Sequence, residues 1–226
     1  MEVTTKTAVV TGASSGIGRA LAGMLSSEGY DVIGFGRKFE ADCPFRTVEI
    51  DLTDTSRALN LMRDIGPVDI LVNCAGCAYY GVHGQITSDE ISEMVRVDLE
   101  LPMLLSRIFL PGLREKQGYI VNIASVTATR INTHAAAYGA VKAGLRSFGR
   151  SLFEEERKNG VKVLTVCPDL TDTALYRNAD FEPDKETCLT SEEVASSVLN
   201  VIKSPEGVVV TELEIRPQYN KIVKKS

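Results

Sequence analysis

Short runs of β-branched and other apolar residues alternate along this chain with longer stretches whose apolar positions recur every three or four residues. The first pattern suits a strand buried on both faces and the second a helix buried along one stripe, so their alternation predicts βαβ units and a parallel sheet. Strands are expected at 7–11, 31–36, 46–50, 68–73, 118–123, 161–167 and 207–215, and helices near 15–28, 54–64, 88–110, 134–158 and 190–203. The implied fold class is α/β, a single doubly wound parallel sheet of about seven strands flanked by helices. No internal repeat and no low-complexity linker interrupts the pattern, so residues 1–226 are expected to form one domain. One connection departs from it: only residues 37–45 separate the second and third strands, too few for the usual crossover helix, and a loop is expected there.

Composition narrows the class. A 226-residue chain with 44% hydrophobic and 24% charged residues is globular rather than disordered or fibrous. Its 25 Lys+Arg against 30 Asp+Glu give a net charge of −5, with no basic stripe to follow a phosphate backbone, so nucleic acid is not an expected partner. No apolar run is long enough to cross a bilayer, and Met1 to Thr7 lacks the basic-then-apolar order of a secretory leader. Neither membrane attachment nor export is expected. The five cysteines, an odd number in a chain this long, suggest no disulfide framework, so the expected location is a reducing cytoplasm. The segment Lys221 to Lys225 reads as a solvated tail.

Candidate chemistry begins at the first strand, which runs into Thr11-Gly12-Ala13-Ser14-Ser15-Gly16-Ile17-Gly18 and then a helix. Glycines at this spacing let the backbone approach a pyrophosphate, and the free N–H groups at the helix start face its charge. A tight turn without a ligand is the plainer alternative. About twenty residues on, the second strand ends in Gly36-Arg37-Lys38, where a site for NAD would carry a carboxylate for the ribose 2′-hydroxyl. Arg37 instead offers a planar cation suited to a 2′-phosphate, favouring NADP(H) over NAD(H), unless Gly36 and Arg37 are ordinary surface.

Tyr138 and Lys142 stand four apart in a helical segment and project from one face. An ammonium beside a phenol favours the phenolate, bringing Tyr138 into range as a proton donor and acceptor. The spacing alone is common. Ser125, 13 residues upstream, ends the strand Tyr119 to Ile123, and carboxyl ends of parallel strands are where such sheets bind ligands. Its hydroxyl could hydrogen-bond an oxygen on which charge develops, although serines also end strands by turn chemistry.

Together, Thr11-Gly12 to Gly16-Ile17-Gly18, Asp51, Asn73-Cys74-Ala75-Gly76, Ser125, Tyr138 with Lys142, and Pro168 to Thr173 resemble the short-chain dehydrogenase/reductase family over nearly the whole chain. The resemblance implies a Rossmann-like domain that moves hydride between a nicotinamide and a carbonyl or secondary alcohol. It implies that Tyr138 is the acid/base, that Lys142 tunes it and holds the nicotinamide ribose, and that Ser125 polarises the substrate oxygen. It places Ser14, Ser15, Gly16, Ile17 and Gly18 on the phosphates and Asp51 and Leu52 at the adenine. Asn73, Ala75 and Gly76 would line the adenosine ribose, Thr171 and Thr173 would meet the carboxamide, and equivalent helices pair relatives into dimers or tetramers.

The sequence departs from that pattern in three places. Asp98 occupies the position of a usual asparagine, the fourth catalytic residue; Pro102 lacks an N–H, so the carbonyl of Asp98 loses a helical partner and can hold a water. Asp169 replaces a glycine, and Ser15 stands where NADP-using relatives often carry a basic residue. Asp98 and the missing crossover helix keep open a nucleotide-binding scaffold without turnover, against which Ser125, Tyr138 and Lys142 argue. A sugar-nucleotide epimerase would need a longer C-terminal region. Cys74 and Cys77 have CxxC spacing, but neither a second pair nor ligand spacing at His83 or His134 supports a metal or redox site. His134 reads as a helix start that could border the substrate. The stretch Asp172 to Thr190, with Leu175, Tyr176 and Phe181, is the expected lid of a pocket for a small or medium substrate.

Overall fold

The computed structural model describes residues 5–225. The leader reading over Met1 to Thr7 therefore lies outside the described residues in its first four positions. Seven parallel strands form the main sheet in the order β3-β2-β1-β4-β5-β6-β8. They are β1 Thr7–Thr11, β2 Asp31–Gly36, β3 Arg46–Glu49, β4 Ile70–Asn73, β5 Tyr119–Ile123, β6 Lys162–Pro168 and β8 Glu212–Ile215. The order reverses beside β1, so β1 and β4 flank the switch point, and ligands bind such sheets at the strand ends there. β7 Phe181–Pro183 and β9 Ile222–Lys224 pair antiparallel in a separate ribbon.

Strand alternation distributes the core between two faces. Ala8, Val10, Ile70, Val72 and Val121 pack with Leu21, Leu25, Val194 and Val198 of helices α1 (Gly16–Ser27) and α6 (Ser191–Ile202). Val9, Leu71 and Ile120, the intervening positions, pack with Met62, Leu105, Leu113 and Leu152 on the other face. Those side chains come from α2 (Thr55–Met62), α4 (Leu101–Lys116) and α5 (Ala136–Glu156). Helix starts follow local chemistry: Asp54 caps α2, and Thr87 with Glu90 and Thr190 with Glu193 form reciprocal capping boxes on α3 (Ser88–Val95) and α6.

The crossover from β2 to β3 contains no helix. Aromatic packing takes its place: Phe39 and Phe45 meet edge to face at 6.3 Å, and both pack against the core cluster under α1. Ser26 Oγ donates to the carbonyl of Pro44 at 2.6 Å, fastening the loop to α1.

Three expectations change. The helix expected at 88–110 runs on to Lys116 and is interrupted by a π-helical segment, Arg96–Glu100, in which the N–H of Leu101 donates to the carbonyl of Arg96. Pro102 lies just beyond it, so the missing N–H and the wider turn occur together. The strand expected at 207–215 covers only Glu212–Ile215, because Gly207 turns at φ +81° and Val208 bonds back to Pro205. The segment expected as a solvated tail instead contains β9, held by the Phe181↔Lys224 and Pro183↔Ile222 pairs.

Candidate active site

A cleft of about 940 Å³ opens at the carboxyl ends of the central strands. At one end Gly12 turns at φ +69°, where a Cβ would meet the Ala75 nitrogen at 2.7 Å. Gly18 is closed by different contacts: a Cβ there would stand 2.3 Å from the Gly12 carbonyl oxygen. Thr11 Oγ1 locks the turn to the next strand by accepting from the N–H groups of Cys74 and Ala75 at 3.1 and 3.2 Å. No acidic side chain occupies the first turn of α1, and Ser15 places no side-chain cap on it, leaving the N–H groups and dipole of the helix directed at the cleft. This hollow fits a pyrophosphate: it is built of backbone, closed to Cβ atoms and positively polarised.

Gly12, Ser14, Ser15, Gly16 and Ile17 line the cleft, as do Arg37, Asp51, Leu52, Ala75 and Gly76. Thr171 and Thr173 line it as well, and Thr173 lies beside the glycine turn, where a Cβ at Gly16 would meet its Cγ2 at 3.2 Å. The Thr53 backbone N–H donates to Asp51 and, despite an opposing effect of burial, holds its carboxyl below the usual aspartate value. Arg37 is exposed, with no ion pair among the described residues.

Two residues expected at the cofactor stand away from the cleft. Asn73 is buried in β4 and its Nδ2 donates to Asn122 Oδ1 at 2.9 Å, tying β4 to β5. Gly18 acts through the close approach of helix to turn.

Ser125, Tyr138 and Lys142 converge midway along the cleft. The hydroxyl of Ser125 accepts from the Thr127 N–H at 3.2 Å. Lys142 Nζ donates to the Ile123 carbonyl at 2.8 Å and lies 5.7 Å from the centre of the Tyr138 ring. Asp98 lies behind them, fully enclosed, with Oδ1 2.9 Å from Lys142 Nζ. Asp98 Oδ2 accepts from the Cys77 N–H at 3.0 Å. Gly76 makes room for this carboxylate, since a Cβ there would stand 2.6 Å from Oδ1.

These contacts correct the expected effect of Lys142 on Tyr138. The phenol is pushed well above the ordinary tyrosine value, first by burial and next by the negative charge of Asp98, while Ser125 opposes the shift. A lysine paired with a carboxylate exerts little net field on its neighbour.

Beyond Tyr138 the cleft has an aromatic wall. Tyr80 stacks on Tyr176 at 5.8 Å, meets Phe181 at 5.2 Å and lies 5.6 Å from the Tyr138 ring. The short 3-10 turn Ala174–Asn178 and β7 carry this lid, and β9 supports it. Alternate residues Asn220, Ile222 and Lys224 face the cleft, so the C-terminal segment forms part of the wall. His134 reaches the rim, whereas His83 does not.

Sequence reading missed the role of Asp169, whose Oδ2 lies 2.9 Å from Arg216 Nε and 3.4 Å from Asn220 Nδ2. It anchors the segment that leads to β9. The carboxylate in place of glycine was the visible signal; its partners lie some fifty residues away. Burial pushes the Cys74 thiol to about 12 and the Cys77 thiol higher still, which removes the redox reading of the CxxC spacing. Among the described residues, no group of three or more His, Cys, Asp or Glu side chains is placed to hold a metal ion.

The short chain dehydrogenase family model matches residues 6–183, and the chain belongs to that family. An uncharacterized oxidoreductase of Staphylococcus epidermidis is 31% identical over 229 residues, covering 96% of this chain and 99% of that relative. Among solved structures, an alcohol dehydrogenase from the archaeon Thermococcus sibiricus complexed with 5-hydroxy-NADP superposes with a TM-score of 0.84 at 24% identity, covering 96% of this chain and 98% of the other. A 4-hydroxyisoleucine dehydrogenase complexed with NADH gives a TM-score of 0.80 at 24% identity, covering 93% of this chain and 96% of the other. The protein is thus an oxidoreductase of the family, acting at CH–OH or C=O groups with a nicotinamide cofactor.

Proposed function

We propose that the protein is an NADP(H)-dependent oxidoreductase that interconverts a carbonyl and a secondary alcohol, with Tyr138 as acid/base. The observation that carries this reading is the convergence of Ser125, Tyr138 and Lys142 in one cleft with the glycine turn and Arg37. When bound, the nicotinamide supplies or accepts the hydride. The chain supplies the rest. The backbone of Gly12 to Ile17 and the start of α1 hold the pyrophosphate, Arg37 meets a 2′-phosphate, and Asp51 and Leu52 border the adenine. Ala75 and Gly76 border the adenosine ribose, Lys142 holds the nicotinamide ribose, and Thr171 and Thr173 meet the carboxamide. Ser125 orients the substrate oxygen and Tyr138 gives it a proton in reduction or removes one in oxidation. Water is kept from the reacting oxygen by Tyr80, Tyr176 and Phe181.

Residues 1–226 act in this reading as one cofactor-binding and catalytic domain, assembled as a homodimer or homotetramer. Partly exposed Val95 and Met103 on α3 and α4 support such pairing. Five free cysteines support a cytoplasmic location, and no described helix is long and apolar enough to cross a membrane.

A second reading, a nucleotide-binding scaffold without turnover, is favoured by the Asp98 carboxylate against Lys142. NADPH consumption across ketones, aldehydes, diketones, oxo acids and steroids separates the two, with Tyr138→Phe alongside. The enzyme reading expects turnover that falls by about 10²- to 10⁴-fold in the variant. Tight NADPH binding with no turnover on any compound favours the scaffold.

A further inference from the structure

Lys142 has a second charge against it. Its Nζ lies 2.9 Å from Asp98 Oδ1, and the side chains are 5% and 0% exposed. The ammonium approaches that oxygen out of line for a hydrogen bond, so the contact is one of charge. Asp98 Oδ2 receives the Cys77 N–H at 3.0 Å and its S–H at 3.5 Å. Its hydrogen-bond and ion-pair partners are therefore all donors or cations, the surroundings of an ionised group. Burial raises the Asp98 carboxyl above the ordinary aspartate value, and the Lys142 charge is the strongest influence opposing it.

We propose that Asp98 is a positioning residue that sets the charge felt by Tyr138: paired with Lys142 in the closed space behind Gly76, it cancels the cation that would favour tyrosinate and so widens the pH range over which Tyr138 keeps the proton a carbonyl reduction needs. The proposal rests on the reading of Tyr138 as the acid/base. It goes beyond that reading by giving the site a different balance of charge from one with a neutral amide at position 98. The π segment is the device that delivers the carboxylate, since it carries Asp98 inward where α3 and α5 pack together.

No other neighbour takes over this role. From the β4 loop, the Cys74 and Cys77 thiols stay protonated because burial raises both. From the lid side, burial likewise raises the Tyr80 and Tyr176 phenols. Glu93 of α3 accepts from the Tyr79 hydroxyl at 2.6 Å, and His134 stands exposed just before α5. Ser125 at the end of β5 is uncharged. The ionised groups in contact behind the tyrosine are thus Asp98 and Lys142.

Two readouts test the proposal, one of which needs no substrate. The ultraviolet absorbance of phenolate, taken as the difference between a protein and its Tyr138→Phe counterpart, reports where Tyr138 ionises. It is recorded with saturating NADP⁺ for wild type and for Asp98→Asn. The amide should lower the ionisation of Tyr138 by about one pH unit or more, because Lys142 is then uncancelled. The second readout is the pH profile of kcat for reduction: its alkaline fall should move to lower pH by the same amount, with thermal unfolding confirming a folded variant.

Coincident titrations in the two proteins would overturn the proposal. Should Asp98→Asn fail to fold, wild type alone decides: Tyr138 ionising below about 8 shows an uncancelled cation and overturns it, while ionisation above about 10 supports it. Undiminished reduction by Tyr138→Phe would instead overturn the acid/base reading, leaving the absorbance comparison to judge the charge of Asp98.

Discussion

Arg37 shows how much one side chain can decide. It stands at the end of β2, exposed, where a carboxylate would meet a 2′-hydroxyl and repel a phosphate. Replacing it with alanine should weaken NADPH binding by about 10- to 100-fold, the worth of a charge-assisted hydrogen bond, and change NADH binding little. Fluorescence titration with both cofactors checks this; equal losses would show that Arg37 acts on something other than the 2′-phosphate. Arg37, Ser125, Tyr138 and Lys142 stood out in the sequence as candidates by local spacing and strand ends, and all four line the cleft. The sequence did not display the enclosure of Asp98 or the partners of Asp169, since those contacts join segments 21 and about fifty residues apart. Asn73 depends on such a contact too: the resemblance put it at the adenosine ribose, while its side chain hydrogen-bonds Asn122 of the neighbouring strand.

At the scale of elements, the central strands and most helices were legible because burial on both sheet faces requires unbroken apolar runs and capping chemistry marks the helix starts. The ribbon of β7 and β9 was not. Three-residue strands give no periodicity, and Ile222, Val223 and Lys224 are exposed, so only the pairing with β7 gives them structure. Because Ile222 and Lys224 face the cleft, converting both to alanine should alter substrate KM by roughly tenfold and leave NADPH affinity unchanged. Steady-state kinetics with a cofactor titration checks the separation. A parallel loss of cofactor affinity would mean that the ribbon supports the whole lid rather than the substrate wall.

Across the whole molecule, α4 and α5 are clasped at their far ends by Arg114 and Glu156, 2.6 Å apart, with the glutamate side chain only 6% exposed. The Arg114 guanidinium holds the Glu156 carboxyl below its ordinary value near 4.5. A depressed carboxyl stabilises the fold fully above its unfolded pKa, and that contribution disappears as pH falls through the folded value. Arg114→Met should therefore lower Tm at neutral pH by roughly 2–4 °C. The difference from wild type should shrink as pH drops below about 4.5. Thermal unfolding across that range checks the sign; a constant difference would assign the effect to packing of the arginine stem.

The π segment at Arg96–Glu100 holds one residue more than an α-helical turn needs. Deleting a residue there would let α3 and α4 join in regular α-helix with little net rotation between them, because the wide turn and an α-helical turn each complete one revolution. Met94, buried on α3, and Leu105, buried on α4, would keep their places in the core, and the change would fall on the turn that carries Asp98. The position of Asp98 is thus a matter of chain length as much as residue identity. A point substitution at position 98 would change the charge beside Lys142, whereas a one-residue deletion would remove the wide turn that carries position 98 inward.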